Sequence, residues 1–364
     1  MSNFNLNDVR DILAKVNDPD LGKSLGELGA IKDIRHEENI IKIDLELVQP
    51  AQWAASDVNE ACAAALQNAY SGMETEINIS EVFADTYNRE LLPGVKNIIA
   101  VASGKGGVGK SSVAANLAAA LSLSGAKVGI LDGDVYGPSQ PVMFGLEGEA
   151  FRGAVAPDGK QVAVPNEKYG IKVASMGFIL NRDEAAIIRG PLLAGYFSML
   201  FEQIEWGPLD FLIFDLPPGT GDVQLTLTQR IPLTGAVVVT TPQEIAVADV
   251  RRAISMFKRV NVDILGIVEN MSYFVPPDMP DKKYYIFGQG GGKAVADENG
   301  IHFLGEIPLD IRMREGNDGG MPVVFDHQAD AQAGIITGIA MDLVRKIRML
   351  NYEKSQAGDL KIEL

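Results

Sequence analysis

One octapeptide constrains this chain more than any other stretch: Gly104-Lys105-Gly106-Gly107-Val108-Gly109-Lys110-Ser111. A β-branched and apolar run, residues 97–102, precedes it, and an alanine- and leucine-rich segment, residues 113–123, follows. Strand, glycine loop and helix, in that order, are the setting in which G-x-x-x-x-G-K-[ST] becomes a phosphate site. Glycines let backbone N–H groups turn inward with no Cβ in the way. Those N–H groups and the positive end of the following helix then surround a triphosphate. The phosphate-binding set is therefore Gly104, Lys105, Gly106, Gly107, Val108, Gly109, Lys110, Ser111 and Ser112. Lys110 is placed to reach the β- and γ-phosphates and the Ser111 hydroxyl to ligate Mg²⁺.

The same residues contain G-x-G-x-x-G, at Gly104, Gly106 and Gly109, with Asp132 about where a dinucleotide fold keeps its ribose-binding acid. A dinucleotide loop has no need of Lys110 followed by Ser111, and it leaves a second acidic strand end unexplained. The triphosphate reading is preferred.

At 364 residues the chain is long enough for two domains, and 46% hydrophobic with 22% charged residues reads as globular. A net charge of −16 argues against a general nucleic-acid binder, which needs a basic surface. The N-terminal segment lacks the apolar core of a secretion signal, and no apolar run approaches a membrane span. The expected location is the cytoplasm. Cys62 is the one cysteine, so no disulfide can form within the chain, and His36, His302 and His327 show no zinc-ligand spacing.

Residues 1–80 read as a small α+β unit. Val9, Ile12, Leu13 and Val16 share one helical face, Ile41, Ile43, Leu45 and Leu47 alternate as in a half-buried strand, and Val58, Cys62, Leu66 and Ala69 trace a second helical stripe. A closing strand is expected over residues 75–79. Residues 81–96 read as a linker ending near Pro93-Gly94. From residue 97 to 350, strands and helices alternate, which predicts an α/β fold with a mostly parallel sheet. Strands are expected at 98–102, 128–132, 211–215, 236–240 and 264–268. Residues 351–364 read as a flexible tail.

Two of those strands end in acid: Ile130-Leu131-Asp132-Gly133-Asp134 and Phe211-Leu212-Ile213-Phe214-Asp215. Ligands of open α/β sheets sit at that edge. Asp215 fits the Walker B carboxylate that holds the Mg²⁺ shell. Asp134 is assigned to orienting or activating the attacking water. The following loop, Leu216-Pro217-Pro218-Gly219-Thr220-Gly221-Asp222, is built to sense a γ-phosphate.

Lys105 is surplus to an ordinary P-loop. K-G-G-V-G-K-S resembles the deviant Walker A motif of the SIMIBI class, which includes MinD, ParA and the nitrogenase iron protein. The resemblance implies that Lys105 acts across a homodimer, on the nucleotide of the second copy. More narrowly, D-G-D-V-Y-G-P-S at 132–139, R-G-P at 189–191, D-L-P-P-G-T-G-D at 215–222, T-T-P-Q at 240–243, G-I-V-E-N-M-S-Y-F at 266–274 and I-F-G-Q-G-G-G at 286–292 are similar to the Mrp/ApbC family. The N-terminal unit, with D-P-D at 18–20 and L-G-E-L-G at 25–29, resembles the small iron–sulfur-assembly domain often fused ahead of it. The resemblance implies an iron–sulfur cluster carrier that binds and hydrolyses ATP, works with apoproteins or assembly factors, and contacts adenine through Asn270.

One departure stands out. Many family members carry C-x-x-C shortly after N-M-S-Y-F, and the dimer shares one [4Fe–4S] cluster there. Here residues 275–285 hold no cysteine, and neither does the loop Gln49-Pro50-Ala51-Gln52-Trp53, where related small domains often have one. Cys62 lies among alanines on an apolar stripe, so a buried hydrophobe is the default reading over a cluster ligand. A cluster-free ATP-dependent adaptor or switch is the alternative function. A third, a MinD-like organiser at a membrane, rests on the basic, amphipathic stretch 339–350, with Arg345, Lys346 and Arg348; docking of that helix within the fold is preferred. Gly288 to Gly292 reads as a turn before a helix, and Tyr284 and Tyr285 as either partner-facing or packed.

Overall fold

The computed structural model describes residues 5–82, 91–156, 159–179, 191–327 and 330–358. The chain divides into two compact units, one of residues 1–86 with 344–364, the other of residues 87–343.

The first unit contains α1 (Leu6–Leu13), β1 (Ile31–Glu37), β2 (Ile40–Val48), α2 (Ala54–Ala69) and β3 (Glu74–Val82). Asn5 caps α1 by accepting from the Asn7 N–H at 3.0 Å, which satisfies a donor the helix itself leaves unpaired. The sheet runs β1-β2-β3, antiparallel then parallel, and α2 is the crossover that a parallel pair requires. On β2 the alternation holds: Ile41, Ile43, Leu45 and Leu47 face the core. Val58, Cys62 and Leu66 meet them from α2, whereas Ala69 is exposed at the end of the helix. Val16 packs into the same core from beyond the last residue of α1.

The second unit opens with β4 (Val95–Ala102), α3 (Lys110–Leu123), β5 (Val128–Asp132) and the single turn α4 (Gln140–Met143). Four short strands follow, β6 (Arg152–Val155), β7 (Gln161–Val164), β8 (Asn166–Lys168) and β9 (Ile171–Ser175). Next come α5 (Pro191–Glu202), β10 (Leu209–Asp215), α6 (Asp222–Arg230), β11 (Gly235–Thr240), α7 (Glu244–Arg259) and β12 (Ile264–Phe274). The last elements are α8 (Gly291–Asn299), β13 (Phe303–Leu309), α9 (Ile311–Asp318) and α10 (Asp330–Gly358). Arg189 and Gly190 of the R-G-P motif lie outside the described residues, as do 83–90 of the expected linker.

The main sheet has the order β13-β12-β11-β4-β10-β5-β9-β8, with only β8 antiparallel. Its central strands read as continuous apolar runs because both faces are covered. β10 separates β4 from β5, while β11 lies on the far side of β4, so the strand order reverses at β4. That reversal is where ligands bind in open α/β sheets, and the glycine loop leaves β4 there.

α10 changes the reading of the C-terminal region. The expected tail does not begin at residue 351, because Asn351–Gly358 continue the helix. Asn351 is buried and donates from Nδ2 to the Gln49 carbonyl at 3.0 Å. Residues 359–364 lie outside the described residues. Arg348, one of the three cations weighed for a lipid surface, is fully buried. Its guanidinium forms a fork on the Asp18 carboxylate, reaches Asp20 Oδ2 at 2.9 Å, and donates to the Val48 carbonyl at 2.8 Å. The D-P-D turn is thus the acidic half of a buried ion pair with α10. Among the described residues no helix is long and apolar enough to cross a membrane.

Candidate nucleotide-binding site

Sheet register assembles the site. In the parallel ladder Asp215 pairs with Val101 on one side and with Asp132 on the other, so the two acidic strand ends meet side by side. Lys110, the first residue of α3, is buried and forms an ion pair with Asp215. Its Nζ also donates to Ser111 Oγ at 3.2 Å. Gln140 reaches in from α4: its Nε2 donates to Asp215 Oδ2 at 2.9 Å and to the Ser111 carbonyl at 3.1 Å. The Lys110 ammonium, the Ser111 hydroxyl and the Asp215 carboxylate, predicted from separate motifs, form one contact group.

Two glycines of the loop are required by geometry. Gly109 sits at φ +79° as the N-cap of α3, and a Cβ there would collide with the Asn270 amide. A Cβ on Gly104 would collide with the Asp249 backbone of α7. Ser103 Oγ ties the loop back by donating to the Lys105 carbonyl at 2.9 Å, and the Lys105 residue is half-buried. The Ser103 carbonyl accepts from the Gly219 N–H at 3.1 Å, which joins the phosphate loop to the loop after Asp215.

Asp132 is fully buried. Its Oδ1 accepts from the Asp134 N–H at 3.0 Å, and its Oδ2 from the Ser139 and Gln140 N–H groups and Ser175 Oγ, at 2.9, 3.0 and 3.2 Å. Burial, followed by the neighbouring Asp215 charge, pushes its carboxyl up to about 7; the hydrogen bonds and Lys110 pull the other way and do not compensate. Asp132 therefore organises the loop after β5 and is not a ribose-binding acid. Asp134, half-buried on that loop, accepts from the Gly137 N–H at 3.2 Å. It lines a cavity of about 660 Å³ with Tyr136, Phe197, Pro217, Pro218 and Asp222.

Two asparagines clasp the phosphate loop from distant elements. Asn270, within β12, donates from Nδ2 to the Val108 carbonyl at 2.9 Å. Asn317, on α9, donates from Nδ2 to Ser112 Oγ at 2.9 Å. The Oδ1 of each is buried without a hydrogen-bond partner among the described residues. Asn317 and Gln140 escape sequence reasoning: Asn317 lies in a short polar helix far from any motif, and Gln140 in a one-turn helix too short to show a period.

The glycine run after β12 is a turn before a helix: Gly288 and Gly290 have φ of +96° and +70°, and α8 begins at Gly291. The Gly292 N–H donates to the buried Glu269 carboxylate at 2.5 Å. Tyr284 pairs antiparallel with Phe274, and Tyr284 and Tyr285 are both exposed.

Cys62 belongs to the first unit, not to this site. It is fully buried in the apolar cluster of α2 and the small sheet, and burial pushes its thiol up to about 11. A thiol held protonated in an apolar core is a poor metal ligand.

A family profile described as the NUBPL iron-transfer P-loop NTPase of the ParA group matches residues 94–344. The chain belongs to this family. Residues 6–79 match a second profile, that of an iron–sulfur cluster assembly protein. The iron–sulfur cluster carrier protein of a Synechocystis strain is 45% identical over 347 residues, covering 94% of this chain and 97% of the relative. A nucleotide-binding protein from Archaeoglobus fulgidus, solved in complex with ADP, superposes with a TM-score of 0.56 at 41% identity, covering 66% of this chain and 92% of that one. The cell-division ATPase MinD of Pyrococcus furiosus shares the fold, with a TM-score of 0.50 at 22% identity over 68% of this chain and 97% of its own. The Mrp/ApbC-type and MinD/ParA-like resemblance and the P-loop α/β fold with its small N-terminal sheet domain, both expected from the sequence, are borne out. Among the expected functions, iron–sulfur carriage is supported over the adaptor and the membrane organiser.

Proposed function

We propose that this chain binds and hydrolyses ATP to assist the assembly of iron–sulfur clusters or their transfer to apoproteins, acting as a homodimer in the cytoplasm. The observation that carries the reading is the convergence of Lys110, Ser111 and Asp215 where the strand order reverses. The backbone N–H groups of residues 104–112 grip the polyphosphate, and Lys110 exchanges its bond to Asp215 for the β- and γ-phosphates. The donor set fits a hard divalent cation: the Ser111 hydroxyl and the Asp215 carboxylate are oxygen ligands, and Mg²⁺ would supply charge neutralisation on the phosphates. Asp134 orients the attacking water. Lys105 reaches the nucleotide of the second copy and balances charge that develops on the transferred phosphoryl group. Asn270 offers its remaining amide oxygen to adenine. In-line displacement of this kind draws its rate from positioning and electrostatics. The unit of residues 1–86 with 344–364 serves as an assembly-type domain and the unit of residues 87–343 as the motor.

The cluster is cargo, and this chain's residues do not fit its usual cage. Four ligands, mostly thiolates, hold such clusters, whereas two copies offer only two buried Cys62 thiols. We infer that partner or solution thiols complete the cage while this chain supplies the nucleotide-driven step. Anaerobic reconstitution with iron, sulfide and dithiothreitol is expected to leave little cluster after desalting, with equal iron in wild type and Cys62→Ala. ATP is expected to speed transfer from a loaded scaffold to an acceptor apoprotein. A transfer rate indifferent to ATP would sink the carrier reading.

A further inference from the structure

Gln140, like Lys110, bridges the two residues that would hold the metal, contacting the Asp215 carboxylate and the Ser111 backbone. It is fully buried, and it donates from a single amide nitrogen to Asp215 Oδ2 and to the Ser111 carbonyl. Both neighbours are acceptors, so the nitrogen must face them and the amide orientation is fixed. Its backbone N–H is committed as well, to Asp132 Oδ2, which anchors the one-turn helix α4 against the end of β5. The remaining atom, Oε1, is buried and has no hydrogen-bond partner among the described residues. A buried carbonyl left unpaired is costly, and such atoms cluster where a water or ion belongs.

We propose that Gln140 is a positioning residue for the Mg²⁺ site: its amide nitrogen sets the rotation of the Asp215 carboxylate against Ser111, and its amide oxygen accepts a hydrogen bond from a water of the metal shell. The inference rests on the nucleotide reading above and deepens it. Partners that orient a metal-ligating carboxylate tune affinity for the metal more than affinity for the rest of the ligand. Asp215 has two oxygens. The ion pair with Lys110 uses Oδ1, and the Gln140 amide holds Oδ2. When Lys110 turns to the phosphates, Gln140 is the contact that keeps the carboxylate in place.

The test uses the full-length protein with Gln140→Leu and with Gln140→Met, which fills nearly the same volume without a donor. ATP binding is measured by equilibrium dialysis, first in EDTA and then across a Mg²⁺ titration, with a thermal melt of each variant as a folding control. ATP affinity in EDTA is expected to stay within about twofold of wild type, while the Mg²⁺ concentration for half-maximal enhancement rises about tenfold. At saturating Mg²⁺ the hydrolysis rate of Gln140→Met is expected to recover to within about threefold of wild type. Mg²⁺ curves that superimpose on wild type, or a loss of ATP affinity that is equal with and without Mg²⁺, would overturn the role of Gln140. Wild type that binds ATP with no response to Mg²⁺ would overturn the metal site and the role of Gln140 with it, whereas wild type that binds no ATP under either condition would overturn the nucleotide reading itself.

Discussion

Asp132 and Asp215 show how position alone gives identical side chains different work. Both end a strand, both are buried, and they lie opposite each other in the ladder. Asp215 has the Lys110 ammonium as partner, whereas Asp132 has mainly N–H donors and a neighbouring charge of its own sign. In the folded protein the Asp132 carboxyl is raised from 3.8 to about 7. A group raised on folding adds stability in full below its unfolded value and loses that contribution as pH climbs through the folded one. Between about pH 4 and about pH 7, nucleotide-free wild type is therefore expected to lose stability relative to Asp132→Asn, by at most about 1.4 kcal/mol per pH unit. Parallel melting curves across that range would contradict the assignment. In the sequence, Asp132 and Asp215 were both legible as strand-end acids. Which one faces a cation was not, because that depends on the register of strands far apart in the chain.

At the level of elements, the five expected strands of the large sheet are all present, since unbroken apolar runs leave a doubly covered strand few other readings. β6 to β8 and α4 were not anticipated; they are three or four residues long and half polar, too short to carry a period. The preferred docking of α10 within the fold holds, but the helix runs to Gly358 where a tail from residue 351 was expected. Arg345, Lys346 and Arg348 look alike in sequence, yet only Arg348 finds two carboxylates, on a turn more than three hundred positions earlier. Arg348→Ala would strand the fully buried Asp18 without its counter-ion. The expected cost is about 3–5 kcal/mol, measured as a lower urea midpoint for the unit containing residues 5–82. Arg348→Lys is not expected to restore it, because an ammonium cannot reproduce the two-pronged fork on a carboxylate. A loss under about 1 kcal/mol in Arg348→Ala would show that solvent or a rearranged Arg345, which reaches Asp20 Oδ1 at 3.1 Å, replaces the pair.

For the whole molecule, the family and fold follow from the NTPase motifs, while the fate of the cargo does not. On the proposed function, a chain with the motifs of that family, one buried thiol raised to about 11 and no C-x-x-C after β12 would supply the energy-coupling part of the task and leave the cluster-holding part to other thiols. Every step of the proposed reaction passes through Lys110, which joins the glycine loop to the Asp215 carboxylate. The most direct measurement is equilibrium dialysis of ATP in excess Mg²⁺ against wild type and Lys110→Ala. The account predicts one ATP retained per wild-type chain and none by Lys110→Ala; equal retention by the two proteins, or none by either, would contradict it.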